Sequence, residues 1–387
     1  MNPESKYIHA VEALMQTPTA PFREHWMCEA LDNLLADIPG VELSADKYGN
    51  RLAHLGNGRN ACLPVVFIAH LDHPGFVFEA DGGNGKNLHD PRLLEARFEG
   101  RVEDSFFTGA PVRIFRSPTD KGVPARIVEF SKYIQESGDR RVFLKSEDPV
   151  EAPVLGMWDL PAVERTEGGF LRGRACDDLA GCAAMIEALR RLAEQDTSSR
   201  PLDVTMVFTR GEEAGFCGLL CLLEEEQLPG PLSREGLYLS VETSGELPAA
   251  RLGEGAIIRC GDRSTTFDAH IVDLLHGLTR ANGIRARRAL MDLGTCEATA
   301  AARSGLRAGG ICIPVRHYHN MDTRTGKIAS EMISLSDAET LVEMIVEFTL
   351  ASGEGREPGA VILHDYVKYL RKGQDRLVPV PLASHSM

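Results

Sequence analysis

The chain has 387 residues, of which 43% are hydrophobic and 25% are charged. This is ordinary globular composition, long enough for two domains or for one large domain with an insertion, and it excludes a fibrous or disordered chain. The formal net charge is −14, from 56 acidic and 42 basic residues. We therefore expect no nucleic acid and no anionic membrane among the partners, because an acidic surface repels both.

The cysteines and the N-terminal segment indicate a compartment. Nine cysteines with no C-x-x-C pair match neither a zinc finger nor a disulfide framework, so reduced, buried thiols are the simplest interpretation. Residues 1–16 are polar and lack the apolar core of a signal peptide, and no apolar run is long enough to span a membrane. These features predict a cytoplasmic protein.

Apolar runs of strand length alternate with helical patterns along the chain. Continuous apolar runs are typical of strands buried on both faces, and they occur at residues 65–69, 202–209, 236–242 and 309–315. Helical patterns occur at residues 3–16 and 24–38, after Asp178, around 218–226 and at 336–350. This alternation predicts an α/β fold with a mostly parallel sheet and helices on both faces.

Residues 77–165 have a different pattern. PVRIF, ARIVEF and RRVFLK are short, alternating and separated by turn residues, which predicts a small β-rich domain inserted in the α/β chain. The predicted catalytic domain is then discontinuous, with segments 1–76 and 166–372. The predicted tail, 373–387, is loosely held.

Ionisable residues follow the predicted strands where each strand ends. Carboxyl ends of parallel strands meet in one crevice, so these side chains are expected to converge. They are His70 and Asp72 in AHLDHPG, Asp177 and Asp178 in GRACDDLAG, Glu212 and Glu213 in FTRGEEAG, Glu242 in SVETS, and His319 in IPVRHYHN.

The chemistry of this set indicates a metal centre. Two imidazoles and three carboxylates are nitrogen and oxygen ligands that suit zinc, with cobalt or manganese as alternatives. Two cations about 3.5–4 Å apart can polarise a carbonyl and activate a shared water. A carboxylate outside the ligand set must then accept the proton, and the Glu212–Glu213 pair offers one ligand and one base. Asp72 is close enough in sequence to orient His70.

Four segments resemble the dinuclear-metal aminopeptidases of the tetrahedral (TET) and glutamyl aminopeptidase type. They are AHLDHPGF, GRACDDLAGCA, RGEEAGFCG and IPVRHYH, and a fifth, LGTCEATAAARSG, is loosely similar to another segment of that family. The resemblance spans about residues 60–325 in the family's order. The TET-type enzymes place their extra domain between the first histidine and the aspartate, where this chain has its long gap between His70 and Asp177.

The resemblance implies a zinc-peptidase-like three-layer sandwich with a mixed, mostly parallel sheet, and a role for each residue. Two divalent metal ions would be held, one by His70 and Glu242 and the other by Glu213 and His319. Asp177 would bridge them, with a cis peptide bond to Asp178. Glu212 would be the general base and Asp72 would orient His70. The inserted domain would mediate self-association.

Three departures from the family concern substrate recognition. Glu242 stands where the aminopeptidases usually have aspartate, and glutamate is typical of the related carboxypeptidases and deacylases. His73 stands where an acidic residue is usual, and it either touches substrate or lies at the surface. GTCEA replaces the usual GTDA. The flanking motif favours His319 over His317 as the ligand, which leaves His317 to the substrate pocket or the surface.

Each residue alone also has a structural interpretation. His70 could be a hydrogen-bonded histidine at a strand end, Asp177 and Asp178 could cap a helix, and Glu212 and Glu213 could be first-turn acids. The ordered set favours a metallo-aminopeptidase that acts on peptides. The alternatives are a carboxypeptidase or N-acyl amino acid deacylase that takes small acylated amino acids, and a non-catalytic metal-binding scaffold.

Overall fold

A mixed sheet covered by helices and a separate closed barrel make up the chain. The computed structural model describes residues 3–58, 63–79, 90–133, 139–195 and 201–356. The predicted tail, 373–387, and the last part of the predicted catalytic segment lie outside the described residues. None of the described helices has the length and apolar character that a membrane crossing requires.

The elements follow the order that the sequence patterns predict. The strands are β1 (Glu42–Ala45), β2 (Arg51–Gly56), β3 (Val65–His70), β4 (Gly75–Val77), β5 (Leu93–Glu99), β6 (Pro111–Phe115), β7 (Val123–Phe130), β8 (Asp139–Ser146), β9 (Leu155–Trp158), β10 (Val163–Thr166), β11 (Phe170–Gly173), β12 (Asp203–Thr209), β13 (Leu237–Gly245), β14 (Ala256–Asp262), β15 (Ala286–Met291), β16 (Arg307–Val315), β17 (Met321–Asp322), β18 (Lys327–Ile328) and β19 (Glu331–Ser334). The α-helices are α1 (Pro3–Gln16), α2 (His25–Leu35), α3 (Leu179–Glu194), α4 (Cys217–Leu223), α5 (Ala269–Ala281), α6 (Glu297–Arg303) and α7 (Leu335–Gly353).

The central sheet has eight strands in the order β1-β2-β12-β3-β13-β16-β14-β15. Its middle strands, β12, β3, β13 and β16, are parallel, and β3 is buried along its whole length, as its continuous apolar run predicts. Thr209 at the end of β12 is level with His70, and Ser240 of β13 is level with Ile68. The carboxyl ends of these strands therefore lie at one edge, which confirms the predicted α/β class.

Helix α3 packs against the central sheet. Its side chains are buried on almost every face, and it packs against α1, α7 and β3. Asp178 caps its N-terminus by accepting a hydrogen bond from the Gly181 N–H at 3.2 Å. A Cβ on Gly181 would lie 2.4 Å from the Asp178 carboxylate, so only glycine permits this cap.

The barrel is formed by six antiparallel strands in the order β4-β5-β8-β7-β6-β9. Closure leaves no unpaired strand edge, and the interior is filled by aromatic rings that contact one another edge-to-face. Phe76 lies 4.9 Å from Phe98 and 5.1 Å from Trp158, between ring centroids. PVRIF, ARIVEF and RRVFLK correspond to β6, β7 and β8, which confirms that this part of the chain is β-rich.

The sequence patterns did not predict the secondary structure of two regions. Residues 256–303 contain β14, α5, β15 and α6, to which no pattern assigned an element, and β15 is largely exposed at the sheet edge. A three-stranded sheet, β10-β11-β19, contains the two strands that follow barrel strand β9 and the strand that precedes α7. Strand β19 contains one buried acid, Glu331, that proves important for the site.

Candidate active site

The predicted site residues come together at the carboxyl edge of the central sheet. His70 ends β3, and Glu242 lies in β13. Strand β12 ends at Thr209, and a turn with Gly211 at φ +62° then presents two acids. Asp177 precedes α3, and His319 follows β16. The other members of the set are Asp72, Asp178, Glu212 and Glu213.

The side chains form three groups of possible ligands; one consists of His70, Glu212 and Glu213, and the other two share one carboxylate. Ligand atoms of His70, Asp177 and Glu242 lie within 4.8 Å of one another, and so do those of Asp177, Glu213 and His319. Asp177 Oδ1 is 3.4 Å from His70 Nε2, while its Oδ2 is 3.5 Å from His319 Nε2. His319 Nε2 is also 3.3 Å from Glu213 Oε1. These are the two sets, with the shared aspartate, that the family resemblance implies.

The hydrogen bonding of the cluster fits two cations. The Nδ1 atoms of His70 and His319 face main-chain oxygens of Asp72 and Arg101, at 3.1 and 2.7 Å, so each Nε2 remains for the cluster. Asp177 Oδ1 and Glu213 Oε1 are buried and have no hydrogen-bond partner within the described part of the chain. Buried carboxylate oxygens are normally satisfied, and here a cation would satisfy them.

Asp72 differs in detail from its predicted role. Its main-chain carbonyl, rather than its carboxylate, meets His70 Nδ1; the carboxylate lies 3.8 Å from that nitrogen. The two carboxylate oxygens instead accept the N–H groups of Glu212 and Glu213, both at 3.0 Å. Asp72 therefore links the histidine to the acidic pair, and burial raises its pKa to about 7.

The segment before α3 is fixed from two sides. The Asp177–Asp178 peptide bond is cis, as the resemblance implies. Besides capping α3, the Asp178 carboxylate accepts a hydrogen bond from Thr243 Oγ1 at 2.7 Å. The main-chain oxygen of Asp177 meets His73 Nδ1 at 2.7 Å. Asp178 is therefore a structural partner of the site rather than a member of either ligand group.

His73 corrects one expectation. It is fully buried, with Nε2 at 2.9 Å from Asn320 Oδ1, so it lies neither at the surface nor free to touch substrate. Both of its nitrogens are used to join the Asp177 segment to the turn that contains His319. His317 is partly exposed and outside both ligand groups, with Nδ1 facing the Ser330 carbonyl at 3.0 Å.

Glu331 is the residue that sequence reasoning missed. It is completely buried, and its Oε2 accepts the N–H groups of Cys176 and Asp177 at 2.7 and 3.0 Å. Its Oε1 accepts the N–H of His319 at 2.8 Å. One carboxylate thus fixes the backbone of the shared aspartate and of a histidine in the same group. The only sequence signal was an acid in a short apolar strand.

The turn that presents His319 has an unusual backbone. His317, His319 and Asn320 have φ values of +59°, +54° and +63°, although left-handed conformations are uncommon for residues other than glycine. Such clusters occur where surrounding contacts fix a functional conformation. Here those contacts come from Glu331 and from the Arg101 carbonyl, which follows the last residue of barrel strand β5 closely in sequence.

The electrostatics of the protein groups show why the cluster favours positive charge. Burial alone would lower the pKa of His70, yet the charge of Glu212 and the contact with Asp177 raise it. Burial alone would raise the pKa of Asp177, yet its contacts with His319 and His70 lower it. The pKa of His319 is likewise raised, because Glu213 and Asp177 outweigh its burial. Burial and neighbouring acids raise the pKa of Glu212. Bound cations would replace these protons and stabilise the ionised carboxylates.

A narrow cleft beside the cluster contains a buried arginine. Glu242 lines this cleft together with Ser244, Arg259, Leu293 and Tyr318. Arg259 is 3% exposed; its Nη1 donates to Ser244 Oγ at 3.3 Å, and its Nε has no partner in the described ranges. No described carboxylate lies within 4.0 Å of this guanidinium. A buried, unpaired guanidinium is expected to bind an anion.

Solved structures of aminopeptidases have the same fold. An aminopeptidase from the archaeon Desulfurococcus kamchatkensis superposes with a TM-score of 0.70 at 18% identity, over 92% of this chain and 97% of that chain. The TET1 peptidase of Pyrococcus horikoshii superposes with a TM-score of 0.67 at 20% identity, over 89% and 99%. At these identities the likeness concerns the fold.

Sequence comparisons carry the assignment further. A relative from Acetivibrio thermocellus with an aminopeptidase assignment is 24% identical over 327 residues, which are 79% of this chain and 87% of the relative. The family described as M42 glutamyl aminopeptidase matches residues 158–344, a span that includes Asp177, Glu212, Glu213, Glu242 and His319. Part of the chain is therefore similar to the M42 glutamyl aminopeptidases, and the chain is a hydrolase that acts on peptides.

Proposed function

We propose that the protein is a co-catalytic two-metal aminopeptidase that removes N-terminal residues from peptides. The observation that carries this proposal is the pair of histidine–carboxylate groups that share Asp177. Their nitrogen and oxygen donors suit zinc, with cobalt or manganese as alternatives. His70 and Glu242 would hold one cation, and Glu213 and His319 the other. When bound, the cations would supply Lewis acidity for the scissile carbonyl and lower the pKa of a water.

Glu212 is the proposed general base. Its N–H is fixed by Asp72, its Oε2 lies 3.9 Å from His70 Nε2, and it forms a group with His70 and Glu213. A carboxylate oxygen of Glu212 accepts a proton from the attacking water and then donates it to the leaving amine nitrogen. Its side chain keeps about a tenth of its surface exposed, so substrate and water can reach it.

Arg259 suggests which N-terminal residue the cleft favours. Its buried guanidinium would pair with the carboxylate of a glutamyl or aspartyl side chain, since charge-assisted hydrogen bonds are stronger than neutral ones. This inference agrees with the description of the family as glutamyl aminopeptidases.

The general-base role is tested with Glu212→Gln, which preserves shape but cannot accept the proton. Metal content should be unchanged, while kcat on aminoacyl-anilides should fall by about 10²- to 10⁴-fold. Glu225→Gln, which alters a partly exposed carboxylate paired with Lys47, is the matched control and should retain activity. Undiminished turnover in Glu212→Gln would refute the proposed general-base role of Glu212.

A substrate panel separates the aminopeptidase from its alternatives. Glu242 is the residue that motivates a carboxypeptidase or N-acyl amino acid deacylase. Metal-loaded protein should hydrolyse aminoacyl-anilides and free-amine peptides but not N-acylated amino acids. The reverse pattern would establish the deacylase, and inertness of wild type on all substrates would favour a metal-binding scaffold.

Self-association is the proposed role of the barrel. The Pyrococcus horikoshii TET1 peptidase can assemble into a tetrahedron or a large octahedral shell, and a dodecamer of that peptidase has also been solved. We infer a homo-oligomer for this chain, with stoichiometry to be measured by analytical ultracentrifugation. A monomer at all micromolar concentrations would contradict this part of the proposal.

A further inference from the structure

A second cavity lies where the barrel meets the helical layer. Its volume is about 490 Å³, and its walls come from the end of α1, from β6 and from the segments after β9 and β11. No residue that lines it belongs to the metal-ligand groups described above. Arg174, Arg113 and Lys121 contribute positive charge to it, and Asp120 and Asp159 contribute negative charge.

Arg174 is the unusual member of this cavity. It is 5% exposed, its Nη2 donates to the main-chain oxygen of Gln16 at 2.9 Å, and its guanidinium lies 5.1 Å from the centre of the Phe115 ring. Its Nε has no hydrogen-bond partner among residues that the structure describes, and no described carboxylate is within 4.0 Å. Burial, followed by the like charge of Arg113, lowers the pKa of Arg174 to about 10.

The barrel shows how the same chain satisfies a buried arginine elsewhere. Arg140 is 2% exposed and its Nε, like that of Arg174, has no described partner, but its Nη1 lies 2.6 Å from the Asp104 carboxylate and its Nη2 donates to the Val102 carbonyl at 2.9 Å. A buried charge without such a partner is destabilising, because its lost hydration is not replaced. Arg174 therefore has the environment of an arginine whose counter-ion comes from outside the described chain.

The acids of the cavity do not serve as that counter-ion. Asp159 accepts from Arg113 Nε at 2.7 Å, and Asp120 pairs with Arg116 at 2.9 Å. Lys121 is exposed and forms no ion pair within the described segments. The uncompensated charge in the cavity is therefore positive and is concentrated on Arg174 and Lys121.

We propose that this cavity binds the oxyanion group of a small solute, a carboxylate or a phosphate, between Arg174 and Lys121. Arginine has a planar array of donors that matches both groups, while lysine adds a point charge. The cavity volume suits a small molecule rather than a protein segment. The binding does not depend on the proposed two-metal reaction, because none of its residues takes part in that reaction.

The test is a titration of the full-length protein with inorganic phosphate and, separately, with succinate. Calorimetry and thermal unfolding are followed at constant ionic strength, with chloride as the reference ion. We expect saturable binding and a rise in Tm with at least one of the two anions, and the arm that responds identifies the oxyanion. Anion binding at the metal cluster would persist in Arg174→Met, so only the difference from that variant counts.

Arg174→Met should abolish the saturable component. Arg172→Met is the matched control, because Arg172 lies on β11, two residues before Arg174, but is half-exposed and pairs with Glu164 outside the cavity. If Arg174→Met does not fold, Lys121→Gln replaces it, since that exposed residue can change without loss of packing, and a roughly tenfold weaker affinity is expected. The proposed site would be refuted if the heat of binding and the rise in Tm were no larger than with chloride, or if they persisted in these variants.

Discussion

Replacing Glu331 with glutamine tests the most connected contact of the site. The glutamate accepts three N–H groups, two on Oε2 and one on Oε1. Glutamine has one acceptor oxygen and one NH₂ donor in the same positions. In its better orientation the oxygen keeps the N–H groups of Cys176 and Asp177, and the NH₂ then faces the N–H of His319.

The size of the effect follows from that mismatch. A buried donor left without an acceptor costs about 1–3 kcal/mol, and the other two hydrogen bonds lose their charge assistance. We expect Glu331→Gln to lower the free energy of unfolding by about 2–4 kcal/mol. Because the displaced group is His319, affinity for the cation of the His319 group should fall about 10- to 100-fold.

Zinc titration by calorimetry and urea unfolding measure the two effects. Glu164→Gln is the matched control, because Glu164 is an exposed acid on β10 in the same three-stranded sheet. Weakened zinc binding at one site, with binding at the other unchanged, would agree with the reasoning. Wild-type metal affinity in a correctly folded Glu331→Gln would refute the role assigned to this carboxylate.

Two further predictions concern substrate and protons. Arg259→Met should reduce the preference for N-terminal glutamate over leucine by about 10- to 100-fold, measured as a ratio of kcat/KM values. An unchanged ratio would show that Arg259 does not determine substrate specificity. In the metal-free protein the pKa values of His70 and His319 are raised above 6.5, since neighbouring carboxylates outweigh burial. Zinc must displace those protons, so its affinity should rise with pH above 6.5, and calorimetry in two buffers should show proton release.

The convergence of the candidate ligands could be predicted because its signals are local. Val65–His70 is a continuous apolar run that ends in a histidine, and parallel pairing brings such strand ends to one edge. The Glu212–Glu213 pair follows β12 closely in sequence, and Glu242 lies within the second half of β13 rather than at its end. The family resemblance then implied roles, and two of the three groups of possible ligands in the structure contain the residues of its two proposed metal sites.

The supporting contacts could not be predicted, because they depend on distant backbone atoms. Glu331 acts on main-chain N–H groups that lie up to 155 residues away, and no side-chain pattern records such a contact. The main-chain carbonyls of Asp72 and Arg101 that face the histidines could not be predicted from the sequence either, since every residue has such a carbonyl. His73 was misplaced for the same reason: its partners are a main-chain oxygen and Asn320.

The contact between Arg101 and His319 links the barrel to the proposed metal site. His319 Nδ1 lies 2.7 Å from the Arg101 carbonyl, and Gly100 immediately before it has φ +103°. A Cβ at Gly100 would lie 2.8 Å from Cβ of Pro74. Gly100→Ala should therefore move the Arg101 carbonyl, in addition to a backbone penalty of about 1–3 kcal/mol.

Gly109→Ala separates these two effects. Gly109 is in the barrel region with φ +68°, but nothing lies within 4 Å of the Cβ that alanine would add. Both variants should lose stability, because both force alanine into a left-handed conformation. Only Gly100→Ala should weaken the metal site that contains His319, by about 10-fold or more in calorimetric zinc titration, because only it displaces the partner of Nδ1. Equal zinc affinities in the two variants would mean that the Arg101 carbonyl does not orient His319 and that Glu331 alone does so.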